Sequence, residues 1–342
     1  MKLFSAVSSS LVIVSVMVTS LLAADIVHVS PDDVGPESIV HWQGEYLGSV
    51  EGEEAEVKLA AQVVARRNDN YELILYRGGL PGQGWDPESG TERLEATITE
   101  GQLEFQHDDG RVYKVKNGSI TVCHEERGQI GVLERTFRTS PTLGLAASDE
   151  AVVLFDGSNV DKFREGARMT DDGLLDQGAR TAEKYGDIFL HVEYMLPFWD
   201  DAGRANSGIY IQDRYEVQIM DSFGHPGGRG EDGALYQQRA PDLNVSLPAY
   251  HWQTFDILFR APRFDDEGGK TENVRISVIH NGVLVHDDVE LEKGTGRGGR
   301  REEVPREHLY LQRHRGACLF RNVWLIEDPD GWPEAVEKRV FE

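Results

Sequence analysis

Two cysteines in 342 residues are too few for a disulfide-stapled scaffold or a thiolate zinc site. Basic residues are scarce as well. Lys and Arg number 35 against 59 Asp and Glu, a formal net charge of −24. A surface of that sign repels phosphate backbones and anionic headgroups, which argues against nucleic acid or a membrane surface as partner. No long helical periodicity runs through the chain, so helix-built folds are disfavoured. The glycine-rich stretch Gly294–Gly299, flanked by Arg297, Arg300 and Arg301, lacks the Lys-Ser/Thr and the following helix of a phosphate loop. Disorder is excluded from the other side, by a 39% hydrophobic fraction and six Trp. At ~100–200 residues per domain, the length suggests two domains.

One long uncharged apolar run is present, at the start. Lys2 is the only charge before Asp25, and between them lie Leu11-Val12-Ile13-Val14, Val16-Met17-Val18 and Leu21-Leu22-Ala23-Ala24. A basic start, an apolar middle and small residues at the end form the layout of a secretory signal, expected here as residues 1–23. An uncleaved anchor is the alternative, since the run approaches the ~20 residues a span needs. Its serines dilute the run, so cleavage is preferred. The expected location is secreted or periplasmic, with no membrane contact once the signal is removed. Cys123 and Cys318 fall in different halves and are expected to be free and buried.

The chain divides near residue 145, where Ser140-Pro141-Thr142-Leu143-Gly144-Leu145-Ala146-Ala147-Ser148 reads as a linker. Residues 24–145 carry short strand patterns, among them Tyr71–Tyr76, Leu94–Ile98, Leu103–Phe105 and Val112–Val115. Asn117-Gly118 is a hairpin signal. Residues 55–66 fit a helix by composition and a strand by the alternation of Val57, Leu59, Ala61 and Val63. This half reads as a small, mostly β accessory domain with no catalytic constellation. Residues 150–328 repeat the grammar with nine strand candidates, and His280-Asn281-Gly282 joins two of them. Prolines fall between the strands. An all-β β-sandwich of jelly-roll type follows, with residues 329–342 as a C-terminal tail.

Strand alternation gathers a polar face. Val217 and Ile219 point opposite to Glu216 and Gln218, Ile209 and Ile211 opposite to Tyr210 and Gln212, and Leu190, Val192 and Tyr194 opposite to His191 and Glu193. Leu309 and Leu311 oppose Tyr310 and Gln312, and His314 continues that parity. Glu, Gln and Tyr on one sheet face suit a hydroxyl-rich ligand, by directed hydrogen bonds and a flat apolar surface. Polar residues on any half-solvated sheet are the plainer explanation. Taken singly, His314 is equally a packing residue, His225 in a Gly-rich loop is a weaker candidate, and Asp221 fits an Asx turn.

The ordered segments Leu154-Phe155-Asp156-Gly157, Asn206-Ser207-Gly208-Ile209-Tyr210, Tyr215–Asp221, Gly233-Ala234-Leu235-Tyr236, Trp252–Ile257, His280-Asn281-Gly282-Val283, and Leu311-Gln312-Arg313-His314 with Phe320-Arg321-Asn322-Val323 resemble the 3-keto-disaccharide hydrolase domain family. Secreted members in planctomycete-type bacteria with an extra N-terminal β domain are similar in layout. The resemblance implies a concanavalin-like jelly roll and cleavage of 3-keto-glycosides, by removal of the C2 proton and elimination at C1. It implies a base and an acid among Glu216, His314 and Glu193, and hydroxyl-binding roles for Asn206, Tyr210, Gln212, Gln218, Trp252 and Gln312. No cofactor is certain. A divalent cation is a candidate, with Asp221 joining Glu216 as ligand. The family's Leu-Gln-Asp-His-Gly reads Leu-Gln-Arg-His-Arg here, which weighs against an active role for that loop. A non-catalytic carbohydrate-binding module on the same fold therefore stands as the alternative, with Trp199 or Trp252 as its aromatic platform.

Overall fold

Two Asn-Gly dipeptides set the register of two hairpins. Asn117 and Gly118 take φ of 52° and 79°, and Asn281 and Gly282 take 49° and 81°. Positive φ at both central residues is what a two-residue hairpin turn requires. The computed structural model describes residues 41–52, 54–66, 70–98, 101–198, 203–296 and 302–342. The expected signal segment, Trp199, and Arg297, Arg300 and Arg301 lie outside the described residues.

The first half forms one antiparallel sheet from β1 (Gly44–Glu51), β2 (Glu56–Ala65), β3 (Asn70–Arg77), β4 (Glu92–Thr97), β5 (Leu103–Gln106), β6 (Arg111–Lys116), β7 (Ser119–His124) and β8 (Gly128–Thr136). The order is β4-β3-β2-β1-β8-β7-β6-β5, and the sheet curls until β4 lies beside β5. Tyr46, Leu73, Phe105 and Tyr113 fill its inside. The ambiguous segment 55–66 is strand β2. Leu59, Ala61 and Val63 face the inner core, while Ala60 and Val64 face Phe223 of the second half. Burial on both faces makes the run continuously apolar, and such a run also fits a helix.

The second half holds β9 (Val152–Phe155), β10 (Leu175–Asp176), β11 (Ile188–Met195), β12 (Asn206–Ile211), β13 (Tyr215–Met220), β14 (Trp252–Arg260), β15 (Arg263–Phe264), β16 (Lys270–Glu272), β17 (Val274–His280), β18 (Val283–Leu291), β19 (Tyr310–Leu311) and β20 (Leu319–Glu327). The larger sheet runs β10-β20-β11-β14-β17-β18, with β9 also on β20; the smaller runs β13-β12-β19. Leu190, Val192 and Tyr194 from the larger sheet meet Ile209, Ile211, Val217 and Ile219 from the smaller in one core. The fold is all-β, a jelly-roll sandwich preceded by a β domain.

The stretch at 138–145 is no loose linker. Arg138 makes a buried ion pair with Glu45, Thr142 donates to Asp256 Oδ2 at 2.6 Å, and the Gly144 N–H donates to Glu193 Oε1 at 2.6 Å. The C-terminal tail also has structure. Helix α1 (Glu334–Val340) places Val336 in a cluster with Leu145, Phe189 and Trp324. The strap and the helix thus cover the outer face of the larger sheet. Both cysteines are free; Cys318 is buried and Cys123 half-buried. Among the described residues no helix is long and apolar enough to cross a membrane.

Candidate active site

The outer face of the smaller sheet carries a pocket of about 290 Å³. Pairing of β12 with β13 sets Gly208 opposite Gln218 and Tyr210 opposite Glu216, and the Gln312 N–H bonds the Gly208 carbonyl on the other side. Gly208 leaves a gap in the middle of this polar row. A Cβ there would sit 2.5 Å from Glu216 Oε1, so the missing side chain is what lets the carboxylate lie over the strand.

Glu216 is buried and held in place. Its Oε2 accepts from the Tyr210 hydroxyl at 2.7 Å, and its backbone N–H donates to Thr295 Oγ1 at 2.7 Å. Burial pushes its pKa up to about 7, against the lowering effect of the Tyr210 hydrogen bond. The amide carbonyl oxygens of Gln218 and Gln312 are buried and have no protein partner, although Gln218 Nε2 donates to the Gly230 carbonyl. An orphaned buried acceptor costs free energy, and a ligand donor relieves that cost. Asn206 stands at one end of the pocket, and exposed His314 stands at the rim.

Six residues singled out in the sequence therefore meet here: Asn206, Tyr210, Glu216, Gln218, Gln312 and His314. Four others lie elsewhere. Glu193 belongs to the larger sheet, so its outward parity points to the opposite side of the sandwich. There its Oε2 accepts from Arg321 Nε at 2.7 Å and its Oε1 from Asn322 Nδ2 at 2.9 Å. Burial opposes ionisation of Glu193, but hydrogen bonds from His191, Asn322, Arg321 and Gly144 outweigh it and hold the pKa at about 2. Gln212 sits past the end of β12 at φ 54°, its amide donating to the Pro305 carbonyl. Trp252 lies on the larger sheet's outer face, with the Arg321 guanidinium 4.0 Å from its ring centroid.

Asp221 follows the last residue of β13 and lines a separate cleft with Arg66 and Arg204. Burial raises its pKa to about 6, and the two guanidiniums lower it. Two cationic neighbours do not make a cation site, and Asp221 and Glu216 do not share one. Among the described residues no group of three or more His, Cys, Asp or Glu is arranged to hold a metal.

Alternation missed Tyr236 and Gly296, which close the pocket. Both sit in loops, where strand parity says nothing. The Tyr236 N–H donates to the Glu216 carbonyl, and a Cβ on Gly296 would lie 2.8 Å from the Tyr236 ring. Gly296 of the glycine-rich stretch rejected as a phosphate loop thus forms part of the pocket wall. Arg313, the departure in the Leu-Gln-Arg-His-Arg segment, points away. Its guanidinium bonds Asp176 Oδ2 at 3.0 Å and the Gln177 carbonyl at 2.9 Å. The substitution anchors the loop to β10 and leaves His314 in the pocket.

Residues 150–326 match the family model of the 3-keto-alpha-glucoside-1,2-lyase-like domain. The chain belongs to this family. Its role is therefore carbohydrate-active, and the pocket lies wholly within the matched residues. A crystal structure of a “putative glycosyl hydrolase” from Parabacteroides distasonis ATCC 8503 is 27% identical, with a TM-score of 0.48, over 52% of this chain and 84% of that one. A second from the same organism is 14% identical, with a TM-score of 0.40, over 54% and 99%. No curated protein matches.

Proposed function

We propose that this chain is an exported enzyme that cleaves 3-keto-glycosides by elimination and hydration. The carrying observation is Glu216, a buried carboxyl whose pKa is raised to about 7, beside two glutamine carbonyls that lack donors. A ketone at C3 acidifies the C2 proton. Glu216 is the base that takes it, since a carboxylate of raised pKa is a stronger base than an ordinary one and is still ionised near neutral pH. Electrons from the C2–H bond form the C1=C2 double bond as the C1–O bond breaks. His314 gives the departing oxygen its proton. Water then adds in reverse: the imidazole takes a proton as hydroxide joins C1, and Glu216 returns its proton to C2. Both groups end as they began. Donors from Asn206 and Tyr236 would steady the enolate oxygen, while Gln218 and Gln312 accept sugar hydroxyls.

The test is aglycone release from a 3-keto-glucoside by wild type and by Glu216→Gln. Turnover lost in the variant supports the reading. No turnover by wild type on several 3-keto-glycosides, alongside measurable glycan binding, replaces it with a binding module on the same pocket.

A further inference from the structure

A larger opening lies between the two domains, about 530 Å³ in volume. Its apolar wall is Val64 from β2, with Phe198 and Phe223 from the jelly roll. Nearly half of the residues lining the opening precede residue 150, outside the matched family domain.

Its polar groups are already engaged. Arg66 bonds Glu72 at 2.7 Å and His225 at 3.1 Å. Arg204 holds Glu231 by two bonds, at 2.6 and 2.9 Å. The Asp221 carboxyl accepts the Phe223 N–H. The pocket at Glu216 differs, because there two amide oxygens lack donors. A hydroxyl-rich sugar gains little in the cleft. A flat apolar ring gains burial against the phenylalanines and contact with planar guanidinium faces.

The cleft and the pocket are neighbours along three segments. On β12 and the residues before it, Asn206 lines the pocket and Arg204 the cleft. In the 230–231 loop, Gly230 receives Gln218 of the pocket and Glu231 carries Arg204 of the cleft. Beyond β19, His314 is in the pocket, while the Arg315 guanidinium lies against Gly203 of the cleft, where a Cβ would be 1.7 Å from it. We infer that the interdomain cleft is the leaving-group subsite of the proposed reaction, built for an aromatic aglycone, with the N-terminal domain as one of its walls. The inference rests on the proposed reading of the Glu216 pocket.

The experiment compares phenyl and methyl 3-keto-glucosides on the full chain. KM for the phenyl substrate is expected about tenfold lower, as burial of one ring face gives roughly 1.4 kcal/mol. Phe198→Ala should erase that preference and leave the methyl substrate's KM alone, while Phe198→Tyr should keep it. Equal KM values in the wild type overturn the inference. Calorimetric binding of both glycosides to Glu216→Gln needs no turnover and no change in the cleft. Tighter phenyl binding there supports the subsite even if the wild type releases nothing. Equal binding, with both substrates turned over by the wild type, overturns the subsite and leaves the reading of the pocket standing.

Discussion

Glu193 and Glu216 are both buried glutamates on outward-pointing strand positions of the same sandwich, and they sit at opposite ends of the carboxylate range. Glu193 is held at about 2 and Glu216 is raised to about 7. Burial pushes both upward. Glu193 faces Arg321, Asn322, His191 and the Gly144 N–H, which together overcome it. Glu216 has one neutral hydroxyl, Tyr210. The first is a spent carboxylate that ties the interdomain strap to the larger sheet. The second keeps its basicity in an open pocket. Polarity on a strand face is thus not the mark of a site; unspent hydrogen-bonding capacity is.

The sharpest way to break this comparison is to neutralise each glutamate. Glu216→Gln should lower turnover of a 3-keto-glucoside by about 10²–10⁴-fold, the range for a removed general base, with no loss of thermal stability. In the wild type, kcat/KM should rise with pH through about 7 as Glu216 ionises, and a profile flat from pH 5 to 9 would contradict its role as base. Glu193→Ala should do the converse. Removing one partner of a buried ion pair strands the other, a loss of about 3 kcal/mol, the lower end because Arg321 is partly exposed. Urea denaturation measures that loss, and turnover per folded molecule should stay near wild type. If the two variants exchange effects, the assignment of the two faces is wrong.

Much of this arrangement is legible in the sequence. Alternation separated Ile209, Val217 and Ile219 from Tyr210, Glu216 and Gln218 correctly, because β12 and β13 have a core on one side only. It does not tell that β11 belongs to a different sheet from β12, so it groups Glu193 with a pocket on the far side. Parity is a property of one strand, whereas a site is a property of which strands become neighbours. Gln212 shows a second limit, since alternation stops where φ turns positive. Tyr236 and Gly296 show a third, since loop residues are placed by long-range contacts with no period to read. The strap at 140–145 looked like a linker because small polar residues suit both a flexible link and a tight row of hydrogen bonds.

The orphaned amides give a subtler test of the same contrast. Gln218→Leu or Gln312→Leu replaces an unpaired acceptor with an apolar side chain of similar size. Stability should hold or rise slightly in Gln312→Leu and dip in Gln218→Leu, which also gives up the bond to the Gly230 carbonyl, while KM for the 3-keto-glucoside rises about tenfold in each from a lost hydrogen bond of roughly 1.4 kcal/mol. A melting temperature that falls in both variants would mean the amides are structural, like Asn322 beside Glu193.

The pH dependence of stability belongs to the spent face. His191 Nδ1 lies 2.7 Å from Asp256 Oδ1, and its ring stacks on Trp324. Burial disfavours the imidazolium, but hydrogen bonds to Asp256 and Glu193 raise the pKa to about 9 from 6.5. A raised pKa means that the folded state binds the proton more tightly. The His191 contribution is therefore complete below 6.5 and is lost as pH climbs through 9. Glu193, depressed to about 2 from 4.5, contributes fully above 4.5 and loses that contribution as pH falls through 2. Both terms are whole between about pH 4.5 and 6.5, where the strap should be held most firmly. Urea midpoints of the wild type should decline from pH 6.5 to 9, and those of His191→Gln should decline less over the same interval. Parallel slopes in the two proteins would move the titration off His191 and leave the strap held by its neutral hydrogen bonds alone.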